Sequence, residues 1–141
     1  MPTREANAVW NGNLTSGKGT VKLGSGEFEG AYTVPGRFES GAGTNPEELL
    51  GASHAGCYSM QLAAFLSEAG FKPESVETTA KVTLSKDGDG FAISQIALTT
   101  RAKVPGMDKN AFLEQAEKAK TNCPISKALS ATDISLDAAL L

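Results

Sequence analysis

Two thiols stand out in this chain, Cys57 in SHAGCYSM and Cys123 in TNCPISKAL, and no other cysteine is present. Taken singly, Cys57 in a run of small and apolar residues reads as a buried small hydrophobe, the commonest role of a free cysteine. Cys123 reads differently. It stands just before Pro124, where a short helix can start, at the positive end of a helix dipole with unpaired amides nearby. Such surroundings favour the thiolate, the reactive form of the group. They do not say which thiol attacks first.

His54, the only histidine, lies three residues before Cys57. A Cys–His hydrolase needs an imidazole to deprotonate the sulfur. Two side chains at i, i+3 on one rigid helix meet poorly for that purpose, so a packed, hydrogen-bonded histidine is expected instead. Two cysteines 66 residues apart and one histidine also lack the spacing of a metal-ligand set.

Elements that could position these residues follow from the pattern. The N-terminal third is Gly-rich and broken into short pieces, NAVWNG, GTVKLGSG, EFEGAYTV and GRFESGAGTN, which suit short antiparallel strands. A first helix starts at Pro46, with Thr44 or Asn45 as cap, Glu47 and Glu48 at its positive end and Gly70 to close it. That is roughly 24 residues, or ~35 Å. Its apolar residues surround most of its circumference, so it is expected to be central and covered on several sides. Small residues from Gly51 to Gly56 would let another backbone approach closely. Val76–Leu84 and Phe91–Val104 read as a hairpin around SKDGDG. Asp108 caps a second helix that breaks at Thr121–Asn122, a short helix follows Cys123-Pro124, and Asp133–Leu140 alternates as a last strand. The expected fold class is α+β, with antiparallel sheets around a long central helix, in a single domain spanning 1–141.

Composition narrows the function. With 141 residues, 40% of them hydrophobic and 21% charged, the chain suits one ordinary globular domain. A net charge of −3 and scattered Lys and Arg argue against a nucleic-acid partner. MPTREANAVW has no apolar core of a secretory signal, and no run reads as a membrane span. A cytoplasmic location is therefore expected, where two cysteines read as reduced thiols or a redox pair rather than a structural staple.

NPEELLGASHAGC followed by NCPISKAL resembles the OsmC/Ohr family (osmotically inducible protein C and organic hydroperoxide resistance protein), and the likeness runs essentially end to end. GRFE and the long hairpin place the chain nearer the OsmC branch. The resemblance implies an intertwined homodimer and a cysteine-based hydroperoxide reductase that uses no cofactor and serves in stress defence. It implies that Cys57 is the peroxidatic cysteine, oxidised to a sulfenic acid, and that Cys123 is the resolving cysteine that closes an intrachain disulfide. It further implies that Arg37 stabilises the thiolate and Glu47 orients Arg37. A dithiol, such as a lipoylated protein or dihydrolipoamide, is the implied reductant of the disulfide.

The residue types suit those roles. Arginine keeps its charge and presents a fork of donors that a carboxylate can hold bidentately. A sulfenic acid needs a nearby thiol to escape over-oxidation. Without the resemblance, Arg37 would read as a solvated charge at a strand end, and Glu47 as simple compensation of the helix N-terminus. Glu47 and Cys57 are ten residues apart on one helix, ~15 Å along its axis. They are therefore expected to meet only across a two-fold axis, with the central helices antiparallel and two sites at the dimer interface, His54 near the seam. Phe38, Tyr58, Met60 and the 105–112 loop are expected to form an apolar wall for an alkyl tail. Two other readings are a redox sensor whose disulfide switches a partner surface, and a structural dimer with inert thiols. Turnover with a dithiol separates an enzyme from both.

Overall fold

Glycine-punctuated alternation produces the first three strands, β1 (Ala6–Asn11), β2 (Lys18–Leu23) and β3 (Glu29–Tyr32), an antiparallel sheet in the order β1-β2-β3. The computed structural model describes residues 1–141, which gather into two compact units, Met1–Leu49 and Leu50–Leu141. In the first unit, Asn13 ties the β1–β2 turn by accepting hydrogen bonds from the N–H and the hydroxyl of Ser16. Gly19 is required where it stands, because a Cβ there would lie 2.4 Å from the Tyr32 ring. Val9, Leu14, Phe28 and Phe38 all remain exposed.

The GRFE segment is not a strand end. It belongs to a short helix, α1 (Val34–Phe38), with Arg37 in its last turn. Thr33 explains the change, since its Oγ1 accepts the Gly36 N–H at 3.0 Å and Pro35 fits a first helical turn.

α2 (Pro46–Glu68) begins in the first unit and continues into the second. Asn45, not Thr44, caps it: Asn45 Oδ1 accepts the Glu48 N–H at 2.8 Å, while the Thr44 hydroxyl donates to the Glu48 carboxylate. Gly70, at φ +91°, ends the helix. The Phe71 N–H donates to the Leu66 carbonyl and the Gly70 N–H to that of Ser67, the paired bonds of a Schellman turn. Within one chain the helix is fully covered along one side. Gly51, His54, Tyr58, Leu62 and Leu66 form a buried stripe at helical spacing, while Ala52, Ser53, Gly56 and Met60 are exposed.

The second unit holds a sheet ordered β4-β5-β6. β4 (Ser75–Asp87) and β5 (Gly90–Lys103) form the expected hairpin, with a register shift between Thr83 and Leu84. β6 (Asp133–Leu140) pairs with β5 in parallel, Ile134 opposite Ile96, where antiparallel pairing was expected. The reason is the crossover. α3 (Lys109–Asn122) and α4 (Pro124–Ala128) intervene and bring the chain back to the end from which β5 started. Tyr58, Leu62 and Leu66 of α2, Ile96, Leu98 and Ala102 of β5, and Phe112, Ala116 and Ala119 of α3 form the core around Cys123.

Two polar ties orient α2 in that core. Ser59 donates to Thr78, whose hydroxyl meets that of Thr100 at 2.9 Å. On the other flank the Tyr58 hydroxyl donates to the Ala116 carbonyl at 3.1 Å. Asp108 caps α3 as expected, accepting the Ala111 N–H. Pro124, which offers no N–H, ends one helical run and starts the next, leaving Cys123 extended between them at φ −56° and ψ 125°. No helix is long and apolar enough to cross a membrane.

Candidate active site

Sixty-six residues of chain return Cys123 to Cys57, and the two Sγ atoms stand 3.0 Å apart with both thiols free. A disulfide of about 2.05 Å therefore needs an approach of about one ångström. The two sulfurs differ in access. Cys123 is fully buried, whereas Cys57 is partly exposed and lines an open groove of about 470 Å³ with Ser53, Met60, Gln61, Ala64, Pro124 and Ile125.

Burial pushes the Cys57 thiol up from its ordinary value, the hydrogen bond shared with Cys123 raises it further, and the backbone N–H of Ile125 pulls the other way. The groups acting on Cys57 include no basic side chain. The amide of the short helix was expected to serve Cys123. It serves Cys57 instead, because Cys123 occupies the cap position of α4, its side chain takes no capping hydrogen bond, and the first free N–H beyond Pro124 turns toward the neighbouring sulfur.

Arg37 and Glu47 form the second cluster, within the first unit. Arg37 Nη2 donates to Glu47 Oε1 at 2.8 Å, and Nε lies 3.2 Å from both carboxylate oxygens. Glu47 is nearly buried, and the guanidinium also stacks 5.5 Å from the Phe38 ring centre. Glu47 sits in the first turn of α2, so compensation of the helix N-terminus operates as well. Beside the pair lies a cavity of about 200 Å³ lined by Trp10, Leu14, Tyr32, Val34, Phe38 and Pro46, among others.

The expected apolar wall is only partly found. Met60 lines the Cys57 groove, Phe38 lines the Arg37 cavity, and residues 105–112 line neither. Tyr58 is not a wall residue at all. Its place on the buried stripe of α2, one turn after His54, directs it into the core, where its hydroxyl is bound to Ala116. No sequence pattern marks Ile125 or Ser126. Ile125 acts through its backbone, which no side-chain pattern reports, and Ser126 gains its meaning from a partner 72 residues away.

That partner is His54. The ring is fully buried, Nε2 lies 2.8 Å from Ser126 Oγ, and Nδ1 has no hydrogen-bond partner. The imidazole is a packed, hydrogen-bonded group, as expected, and its one engaged nitrogen faces a hydroxyl rather than sulfur. Burial lowers its pKa below the usual value. A neutral native imidazole and an unfolded one that takes a proton near pH 6.5 set the sign: stability is intact above about 6.5 and falls as pH drops below it. Urea midpoints measured from about pH 7.5 to about pH 5.5 should decline for the wild-type chain. His54→Gln should flatten that decline, and an equal slope in both proteins would exclude His54 as its source.

No group of three or more His, Cys, Asp or Glu side chains is placed to hold a metal ion. An α+β fold with two thiols in contact beneath an open groove defines a chain built around paired sulfur. The family model for OsmC-like protein matches residues 39–137. The chain is 48% identical over 135 residues to the protein named peroxiredoxin OsmC of Escherichia coli (strain K12), covering 95% of this chain and 94% of that one. It is 35% identical over 89 residues to an organic hydroperoxide resistance protein of Xanthomonas axonopodis pv. citri, 62% of this chain and 61% of that one. Among solved structures, an organic hydroperoxide resistance protein OsmC from Legionella pneumophila superposes with a TM-score of 0.76 at 24% identity, covering 99% and 98% of the two chains. The chain belongs to the OsmC-like protein family, and it lies nearer the OsmC relative than the hydroperoxide resistance relative.

Proposed function

We propose that this chain is a thiol peroxidase that reduces organic hydroperoxides to alcohols, acting as one OsmC-type domain in the reducing cytoplasm. The observation that carries the reading is the 3.0 Å contact between a groove-lining Cys57 and a buried Cys123. The Cys57 thiolate attacks the terminal oxygen of the hydroperoxide and the O–O bond breaks. The departing alkoxide takes a proton and leaves as the alcohol, with Cys57 as sulfenic acid. The Cys123 sulfur then displaces that oxygen as water, forming the Cys57–Cys123 disulfide. A dithiol such as a lipoyl group reduces the bridge by exchange and leaves as its own disulfide.

Arg37, held by Glu47, is the cation this scheme needs, since burial raises the Cys57 thiol and no basic group acts on it. The unbroken α2 keeps Glu47 and Cys57 ten residues apart in one chain, ~15 Å along the axis. A homodimer with antiparallel central helices would bring Arg37 and Glu47 of one protomer to Cys57 of its partner. The exposed flank of Ala52, Ser53, Gly56 and Met60 and the exposed apolar residues of β1–β3 support such an assembly.

The test uses the fully reduced protein and one equivalent of cumene hydroperoxide. Loss of both thiols within seconds, one equivalent of alcohol and a mapped Cys57–Cys123 bridge are expected. Survival of both thiols would overturn the proposal.

A further inference from the structure

α4 is five residues long and brings two groups to Cys57: the Cys123 sulfur at its cap and the Ile125 N–H in its first turn. Both depend on where this one short segment lies against α2. Ile125 and Leu129 pack on the core, but apolar contact is non-directional and tolerates sliding. Apart from the contacts made by Cys57 itself, one hydrogen bond links α4 to α2, that between His54 Nε2 and Ser126 Oγ. His54 is fully buried and Ser126 is 5% exposed. A buried bond of this kind is exacting, since either group alone would be left unsatisfied.

We propose that His54 and Ser126 are positioning residues for the redox pair, locking α4 on α2 so that Cys123 reaches the Cys57 sulfenic acid before a second hydroperoxide does. The inference rests on the peroxidase reading above. His54 is one turn before Cys57 on α2, and Ser126 one turn after Cys123. The bond therefore ties the two cysteine-bearing segments together a single turn from the sulfurs. At the sulfenic stage two reactions compete. Cys123 sulfur displaces oxygen as water and forms the disulfide. Alternatively, a second hydroperoxide passes its terminal oxygen to the sulfenic sulfur, giving sulfinic acid and a second alcohol. The first reaction is intramolecular and depends steeply on how the Cys123 sulfur is aligned, whereas the second uses no reacting group of that segment.

The readout is the ratio of disulfide to Cys57 sulfinic acid after excess cumene hydroperoxide, taken by mass spectrometry well below the melting temperature. Ser126→Ala and His54→Leu should each shift that ratio about tenfold toward sulfinic acid. The double variant should do no more than either single one, since all three lack the same bond. His54→Gln, whose amide can reach the Nε2 position, should restore the ratio. A folded Ser126→Ala protein with the wild-type ratio would overturn the inference, as would additive effects in the double variant. His54→Leu carries the same comparison if Ser126→Ala does not fold. Wild-type protein that forms no disulfide would instead refute the peroxidase reading, so the two failures are distinct.

Discussion

Cys57→Ser is expected to lower hydroperoxide turnover by at least about a thousandfold, because a serine hydroxyl has neither the nucleophilicity of a thiolate nor a sulfenic state. Cys123→Ser should behave otherwise. It should release one equivalent of alcohol in a burst, stall in the absence of added thiol, and carry Cys57 as sulfenic acid that excess hydroperoxide converts to sulfinic acid. The asymmetry follows from access. Cys57 lines the groove, while Cys123 is fully buried within one chain and assembly can only bury it further. A bulky hydroperoxide therefore meets Cys57 first. Burst kinetics with an alkyl hydroperoxide, read by alcohol release and trapping with dimedone, check both variants. Turnover retained by Cys57→Ser and lost in Cys123→Ser would reverse the two roles.

The second large effect concerns assembly. Arg37→Ala should cost about a hundredfold in kcat/KM, since the burial-raised Cys57 thiol loses the cation proposed to draw it into the thiolate. Mixed dimers are more telling. If Arg37 of one protomer serves Cys57 of the other, an Arg37→Ala chain paired with a Cys57→Ser chain contains one wholly wild-type site and one doubly defective site. Co-expression under two affinity tags, followed by tandem purification, should give about half of wild-type activity per dimer from two nearly inactive parents. If Arg37 served the cysteine of its own chain, both sites of the mixed dimer would be defective and activity would stay at the parental level. The same outcome, or a fully active monomer in solution, would end the interface proposal.

Much of this protein was legible in its residues. Asn45, Pro46 and Gly70 bounded α2 to within a residue or two, because capping, first-turn proline and positive-φ glycine are local rules that need no tertiary partner. Asp108 and Pro124 set the helix limits around Cys123 for the same reason. The alternation of Val76–Leu84 and Phe91–Val104 announced the hairpin. The two cysteine motifs carried the family likeness.

Other features took shape only when distant segments met. β6 alternates as well as any antiparallel strand, and its parallel pairing depends on the route that α3 and α4 take. α2 is apolar nearly all round in sequence, but within one chain only the stripe of Gly51, His54, Tyr58, Leu62 and Leu66 is fully covered. Tyr58 looked like pocket wall until a turn of helix directed it at Ala116. The Ile125 amide and the Ser126 hydroxyl acquired partners 68 and 72 residues away, at Cys57 and His54. Residue type and local spacing set helix limits, strand alternation and the presence of two thiols, because those rest on short-range sterics and hydrogen bonding. Which sulfur is open, which amide faces it and which histidine nitrogen is engaged are long-range outcomes, decided by the packing of α4 against α2.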